Sequence, residues 1–363
     1  MSKSKKFDAV VYIGRFQPFH NGHLATLKVA LEEADEVIIL LGSSNRAQNI
    51  RNPWTAHERE NMIRSVLTDE GIPQNRVVVL PIKDYPYNND LWLAEVQATV
   101  NASIRHTKNL DDEATPKIGI IGFRRDHTSF YLDLFPQWER VEIEEYGTIN
   151  ATEIRNAIFE SSGYFHFNAL PDQAKRDVPR SVQSWIDNFF NTERSKLDRL
   201  RAEYMHIKKY KGAWESAPYQ PTFITVDAVV VQAGHILLVR RGAMPGEGLW
   251  ALPGGFVNPN ERVFDAAIRE LQEETKIKVP ERILRKSVVK KDYFDDPDRS
   301  LRGRTITFGF YFALEAVPEG LPKVKGSDDA VKAMWVPLSE FKMMENMLFE
   351  DHYAIVQTLV GNL

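Results

Sequence analysis

Apolar positions in the first half of the chain follow two alternating rhythms. Residues 9–13 (Ala-Val-Val-Tyr-Ile) are a short β-rich run, and residues 24–34 then place Leu24, Leu27, the stem of Lys28 and Leu31 on one helical face. Residues 36–41 predict a second strand, 57–67 a helix, 76–80 a third strand and 117–121 a further one. This strand–loop–helix repetition predicts a parallel α/β sheet with helices on both faces. In such sheets ligands bind at the carboxyl ends of the strands.

The pattern changes near residue 179. Residues 185–190 close the first region, and 192–211 form a charged helical stretch in which Leu197, Leu200, Tyr204 and Ile207 make one apolar stripe. That stripe fits either a rigid spacer or an oligomer contact. Gly212 ends the helix, and Ala217-Pro218-Tyr219-Gln220-Pro221 reads as a linker. Strands at 223–231 and 235–240 flank Gly234 and open a mixed α+β region. The organisation expected is a first domain over residues 1–190, a helical linker over 191–220 and a second domain over 221–363.

Composition narrows the function. A chain of 363 residues suits two domains, and 43% apolar with 26% charged residues is ordinary for soluble protein. A net charge of −4 supplies no basic field for duplex nucleic acid. With no cysteine, disulfides, a thiol nucleophile and cysteine-bound zinc are excluded. The basic start at residues 1–6 is interrupted by Phe7-Asp8, which argues against a signal peptide, and no apolar run approaches membrane-spanning length. The expectation is a soluble cytoplasmic protein without nucleic-acid or membrane partners.

Between the first strand and the first helix stands Gly14-Arg15-Phe16-Gln17-Pro18-Phe19-His20-Asn21-Gly22-His23. Two imidazoles and an arginine thus lie at a helix N-terminus, whose free N–H groups and dipole favour anions. Gly14 is expected to let the backbone approach a phosphate, and Gly22 to leave room for a nucleotide over the helix start. Two histidines suit a polyphosphate whose charge grows in a transition state.

This segment resembles the His-x-Gly-His signature of the nucleotidyltransferase superfamily. Residues 49–59 (Asn-Ile-Arg-Asn-Pro-Trp-Thr-Ala-His-Glu-Arg), 89–92 (Asn-Asp-Leu-Trp) and 150–155 (Asn-Ala-Thr-Glu-Ile-Arg) are similar to archaeal-type nicotinamide mononucleotide adenylyltransferases. The resemblance implies a Rossmann-like fold over roughly the first 190 residues. It implies catalytic roles for His20, His23, Arg51 and Arg155, the histidines on the ATP phosphates. Substrate contacts are implied for Gly14, Arg15, Phe16, Pro18, Asn52, Trp54, Trp92, Asn150 and Thr152, with Trp92 stacking on nicotinamide. The implied reaction is in-line attack of the mononucleotide phosphate on the α-phosphorus of ATP, giving NAD and pyrophosphate, with Mg²⁺ or Mn²⁺ bridging phosphates. Simpler readings stand beside these roles: Arg51 and Arg59 as solvated charges, Trp92 as core, and Thr152 as a helix cap. The family motif usually begins with Ser where Asn150 stands, which touches Asn150 and leaves Thr152 intact.

The second signature is Gly255-x5-Glu261-x7-Arg269-Glu270-Leu271-x-Glu273-Glu274. Phe264, Ala267, Ile268 and Leu271 share a helical face that packs down. Glu270, Glu273 and Glu274, at i, i+3 and i+4, are expected to converge on the other. Clustered carboxylates need divalent cations between them, and hard oxygen ligands favour Mg²⁺ or Mn²⁺. The stretch matches the Nudix box. The resemblance implies metal binding by Gly255, Glu270, Glu273 and Glu274, with catalysis by the three glutamates and supporting roles for Glu261 and Arg269. Lys276 stands where the box has glycine, at a position usually left-handed.

The resemblance to the Nudix box implies cleavage of a nucleoside diphosphate derivative but not which one. Beside an NAD-forming domain, ADP-ribose is the economical substrate, giving AMP and ribose 5-phosphate, and residues 244–248 resemble the lead-in of ADP-ribose pyrophosphatases. Asp295, Asp296, Asp298, Asp328 and Asp329 are open choices for the general base, and Tyr293, Phe294 and Phe308 for adenine stacking. Alternatives are another phosphorylated acceptor at the first site, and a second domain that senses ADP-ribose without cleaving it. The expected partners are ATP, nicotinamide mononucleotide, NAD and ADP-ribose, with a homo-oligomer an open possibility.

Overall fold

The computed structural model describes residues 5–109, 111, 114–122, 131–143 and 149–361. The chain folds into two compact units, Met1–Arg201 and Ala202–Leu363.

In the first unit β1 (Phe7–Gly14), α1 (Asn21–Glu33), β2 (Ala34–Leu41), α2 (Ala56–Asp69), β3 (Val77–Pro81), α3 (Asn89–Lys108), β4 (Ile118–Ile121), β5 (Glu139–Val141) and α4 (Ala151–Glu160) follow one another. The five strands form one sheet in the order β3-β2-β1-β4-β5, and every pairing is parallel. Val11, Ile38, Leu40 and Ile120 pack with Val96, Val100 and Ile104 of α3 in one buried cluster. Strand order reverses at β1, so the segment leaving its carboxyl end enters a crevice of the kind that binds ligands.

The face expected of α1 needs one correction. Lys28 is exposed and pairs with Glu70 at 2.7 Å, while Thr26 and Ala30 join Leu24, Leu27 and Leu31 in the buried set. The helix also stops earlier, because Ala34 already begins β2.

After α5 (Asp172–Asp177) and α6 (Arg180–Thr192), α7 runs over Arg194–Gly212 and the division between units falls inside it. Leu197, Leu200 and Ile207 of its stripe are buried within the chain itself. That burial removes them from the oligomer surface they offered in sequence.

The second unit contains β6 (Phe223–Gln232), β7 (His235–Arg241), β8 (Trp250–Ala251), β9 (Gly254–Phe256), α8 (Val263–Thr275), α9 (Glu281–Lys286), β10 (Val288–Phe294), β11 (Thr305–Leu314), β12 (Ala330–Pro337), α10 (Leu338–Phe341) and α11 (His352–Val360). The sheet is mixed: β6 and β11 are parallel over ten residue pairs, and the other pairings are antiparallel. Ala266, Ala267, Ile268 and Leu271 of α8 pack with Val226, Ala228, Phe310 and Phe312. Lys276 caps α8 in the left-handed conformation, φ 46° and ψ 33°, so the local geometry of the usual glycine is kept at a cost of about 1 kcal/mol. Among the described residues no helix is long and apolar enough to cross a membrane.

Candidate active sites

His20 is the N-cap of α1 although it belongs to none of the residue types that usually cap helices. Its Nδ1 accepts from the His23 N–H at 3.3 Å, and the His23 Nδ1 accepts from the His20 N–H at 3.2 Å. The two rings stack with centroids 3.5 Å apart. A neutral imidazole that accepts at Nδ1 carries its proton on Nε2. Both rings are therefore set as Nε2 donors, at the positive end of a helix. Phe16 and Phe19 hold the His23 ring at 4.7 and 5.4 Å.

The glycines beside them are also closely packed. A Cβ on Gly14 would lie 2.9 Å from the Phe16 ring, and one on Gly22 would lie 3.1 Å from the His20 ring. Their smallness makes room for the side chains that build the site.

Arg155 is buried, and its guanidinium donates to the Gln17 carbonyl at 2.6 Å, the Ile50 carbonyl at 3.2 Å and the Thr152 hydroxyl at 3.0 Å. Burial first, then the neighbouring charges of Arg15 and Arg51, lowers its pKa to about 9. Three mutually repelling guanidiniums thus share one locality that an anion would relieve. Gln17 ties the histidine loop to the 52–54 segment, donating to the Trp54 carbonyl at 2.9 Å and accepting from its N–H at 3.1 Å. The buried Asn52 Oδ1 and Trp54 Nε1 have no hydrogen-bond partner.

Arg59 is a correction: it is not a solvated charge but 1% exposed, donating to the carbonyls of Arg15 at 2.6 Å and Gly42 at 2.8 Å. Burial lowers its pKa to about 10, so it remains charged at neutral pH. Arg59→Met is expected to destabilise the first unit by about 3 kcal/mol, because buried acceptors lose their donor. Urea unfolding would measure this, and a change below about 0.5 kcal/mol would reject the clamp. Thr152 is a second correction. The cap of α4 is Asn150, whose Oδ1 accepts from the Thr152 N–H at 2.9 Å, while Thr152 supports Arg155. Trp92 is half-buried against the core, 6.2 Å from Tyr131 and 5.9 Å from Phe135.

In the second unit the acidic residues do not simply converge. Arg269 binds Glu261 at 2.8 and 2.9 Å, Glu270 at 2.7 Å and Glu273 at 2.9 Å, whereas Glu274 is buried and accepts from the Gly254 N–H at 3.0 Å. Among the described residues no three side chains stand ready in ligand geometry. Gly255 runs so close that a Cβ would lie 2.6 Å from Glu270 Oε1. Burial raises the pKa of Glu270, and raises that of Glu274 to about 8.

Two family models match, Cytidylyltransferase-like over residues 11–157 and NUDIX domain over residues 221–359. A nicotinamide/nicotinic acid mononucleotide adenylyltransferase of Acinetobacter baylyi is 42% identical over 156 residues, 43% of this chain and 77% of that protein. A nicotinamide-nucleotide adenylyltransferase of Sulfurisphaera tokodaii is 32% identical over 194 residues, 53% of this chain and 98% of the relative. A crystal structure of a bifunctional NMN adenylyltransferase/ADP ribose pyrophosphatase from Francisella tularensis is 36% identical and superposes with a TM-score of 0.88, covering 97% of this chain and 98% of that one. The chain belongs to this bifunctional family.

Both halves of a bifunctional enzyme of this family call for a divalent cation, and the second unit's donor set fits one. Three carboxylates supply hard oxygens, two of them have raised proton affinity that a cation would offset, and the Gly255 backbone passes directly against Glu270. The same burial has a consequence for stability. The folded pKa of Glu274 lies above the ordinary carboxylate value, so the folded state holds a proton that the unfolded chain releases first. Without divalent cations the second unit is therefore expected to lose stability as pH rises from about 4.5 to about 8. Unfolding in chelator across that range should show the decline, and Glu274→Gln should flatten it. An equal slope in the variant would reject the assignment.

Of the carboxylates left open as general base, Asp328 acts electrostatically on Glu270 and Asp329 on Arg241, while Asp295 pairs with Arg304 at 3.5 Å. Phe294, an adenine-stacking choice, is 1% exposed and belongs to the core, and Phe308 packs partly on the core cluster. Tyr293 is exposed. Sequence reasoning missed Gln17, whose cross-link has no local signature. It also missed the buried group of Asp227, Arg299, Asp351 and His352 behind β9, where His352 Nδ1 accepts from the Leu252 N–H at 2.8 Å and Arg299 grips Asp351 at 2.7 and 2.9 Å.

Proposed function

We propose that the first unit joins the 5′-phosphate of nicotinamide mononucleotide to the AMP moiety of ATP, releasing pyrophosphate and forming NAD. The second hydrolyses ADP-ribose to AMP and ribose 5-phosphate. The observation that carries the first reading is the stacked histidine pair with both Nδ1 atoms occupied by backbone N–H groups, beside Arg15, Arg51 and Arg155. His20 and His23 donate from Nε2 to the ATP phosphates as charge accumulates on the leaving pyrophosphate. Arg15 and Arg51 bind phosphate oxygens. Arg155, committed to Gln17, Ile50 and Thr152, holds the loops in place while its charge adds to the field. Phe16, Pro18, Asn52, Trp54 and Asn150 shape the recess, and Trp92 offers its ring to nicotinamide.

In the second unit Glu270, Glu273, Glu274 and the Gly255 backbone would hold Mg²⁺ or Mn²⁺, which would supply Lewis acidity for hydrolysis of the diphosphate. Arg269 keeps Glu261 and steadies the glutamates. A divalent cation bound with ATP in the first unit would supply charge neutralisation for the phosphates, beside Arg15 and Arg51. A pure sensor of ADP-ribose has no use for three glutamates at this spacing, so hydrolysis is the better reading. Incubation with ADP-ribose and Mn²⁺ should yield AMP and ribose 5-phosphate in equal amounts, and tight binding without products would favour the sensor.

A further inference from the structure

Leu252 and Pro253 separate β8 from β9 and so interrupt the strand ladder. Leu252 is buried, and a buried backbone N–H without an acceptor is costly. His352, the first residue of α11, supplies the acceptor: its Nδ1 takes the Leu252 N–H at 2.8 Å. The Pro253 carbonyl in turn accepts from the Ala228 N–H at 2.8 Å. The strip leaving this break carries the glutamate contacts. Gly254 donates its N–H to Glu274 at 3.0 Å, and a Cβ on Gly255 would lie 2.6 Å from Glu270 Oε1. From the imidazole to Glu274 the path is one hydrogen bond, the backbone from Leu252 to Gly254 and a second hydrogen bond.

His352 is itself held from behind. With Nδ1 accepting, the neutral ring carries its proton on Nε2, which stands 3.5 Å from Asp227 Oδ1. Burial pushes the pKa of the imidazole down, in keeping with that neutral form. Asp227 accepts from the Thr307 hydroxyl at 2.6 Å and packs against Gly254, where a Cβ would lie 2.9 Å from its Oδ1. The neighbouring Asp351 is gripped by Arg299 at 2.7 and 2.9 Å. Buried polar groups paired in this way rigidify their surroundings, and such partners orient the ligands of a metal.

We propose that His352 is a positioning residue of the hydrolase, its Nδ1 fixing the Leu252–Gly255 strip against which Glu270 and Glu274 rest. It touches neither the carboxylates nor the substrate and acts through the backbone between them. The start of α11, about 80 residues beyond the glutamates in sequence, thereby sets the geometry of the metal-binding donors. This rests on the hydrolase reading above.

The test compares His352→Leu with His352→Asn in the full chain. Asparagine can present its Oδ1 where Nδ1 stood, whereas leucine fills the space without an acceptor. Mn²⁺ binding without nucleotide, followed by electron paramagnetic resonance, is the first readout, and ADP-ribose hydrolysis is the second. His352→Leu should weaken Mn²⁺ binding and lower kcat, each about tenfold or more, with adenylyl transfer unchanged. His352→Asn should recover most of both, which filling the space alone would not achieve. Unchanged Mn²⁺ affinity and kcat in His352→Leu would overturn the proposal. So would a His352→Asn protein that binds Mn²⁺ no better than His352→Leu, whether through misfolding or displaced glutamates. No AMP from the unsubstituted protein would sink the hydrolase reading itself, a separate outcome seen before any variant is compared.

Discussion

Glu273→Gln is expected to reduce ADP-ribose hydrolysis at least about 100-fold while leaving adenylyl transfer unchanged. Glu273 is the most exposed of the three glutamates, with 44% of its side chain open, and it pairs with Arg269 at 2.9 Å. An amide there conserves shape and costs the fold little, so a loss of rate reports the lost negative charge. Hydrolysis and NAD formation measured on one preparation make the comparison internal. Unimpaired hydrolysis would remove Glu273 from the site. A parallel loss of both activities would instead indicate damage to the whole chain.

The second large effect concerns His20, where two roles can be separated chemically. As N-cap of α1 it needs only an acceptor, which asparagine supplies well. As phosphate donor it needs the Nε2–H, which asparagine lacks. His20→Asn should therefore keep the thermal stability of the first unit and lower kcat for adenylyl transfer by about 10²–10³. His20→Ala should lose the same activity and about 1 kcal/mol of stability besides. Activity in His20→Asn close to that of the unsubstituted protein would reduce His20 to a cap.

The fold was largely legible because its signals are local. The runs at 9–13, 36–41, 76–80 and 117–121 fall within or beside strands of the parallel sheet, and the helix carrying the glutamates was set by its own spacing. Lys28 misled because a long stem at a helical position reads as apolar, whereas Glu70 draws its charge outward. At the candidate sites, contacts made within one segment follow from its spacing, and those made across segments do not. Arg59 read as a surface charge because its acceptors, the carbonyls of Arg15 and Gly42, come from other loops. The acidic triad read as three converging carboxylates, yet Arg269 intervenes and Glu274 turns to Gly254. Helical spacing fixes which side chains share a face, but the partners that draw them apart come from elsewhere in the chain.

Two nucleotide activities thus share one chain, mononucleotide adenylyl transfer in the first unit and ADP-ribose pyrophosphatase activity in the second. A product profile from a single preparation with divalent metal puts both to the test, given ATP with nicotinamide mononucleotide in one reaction and ADP-ribose in another. NAD and pyrophosphate are expected from the first, and AMP and ribose 5-phosphate from the second. No dinucleotide in the first reaction, or intact ADP-ribose in the second, would refute the assignment.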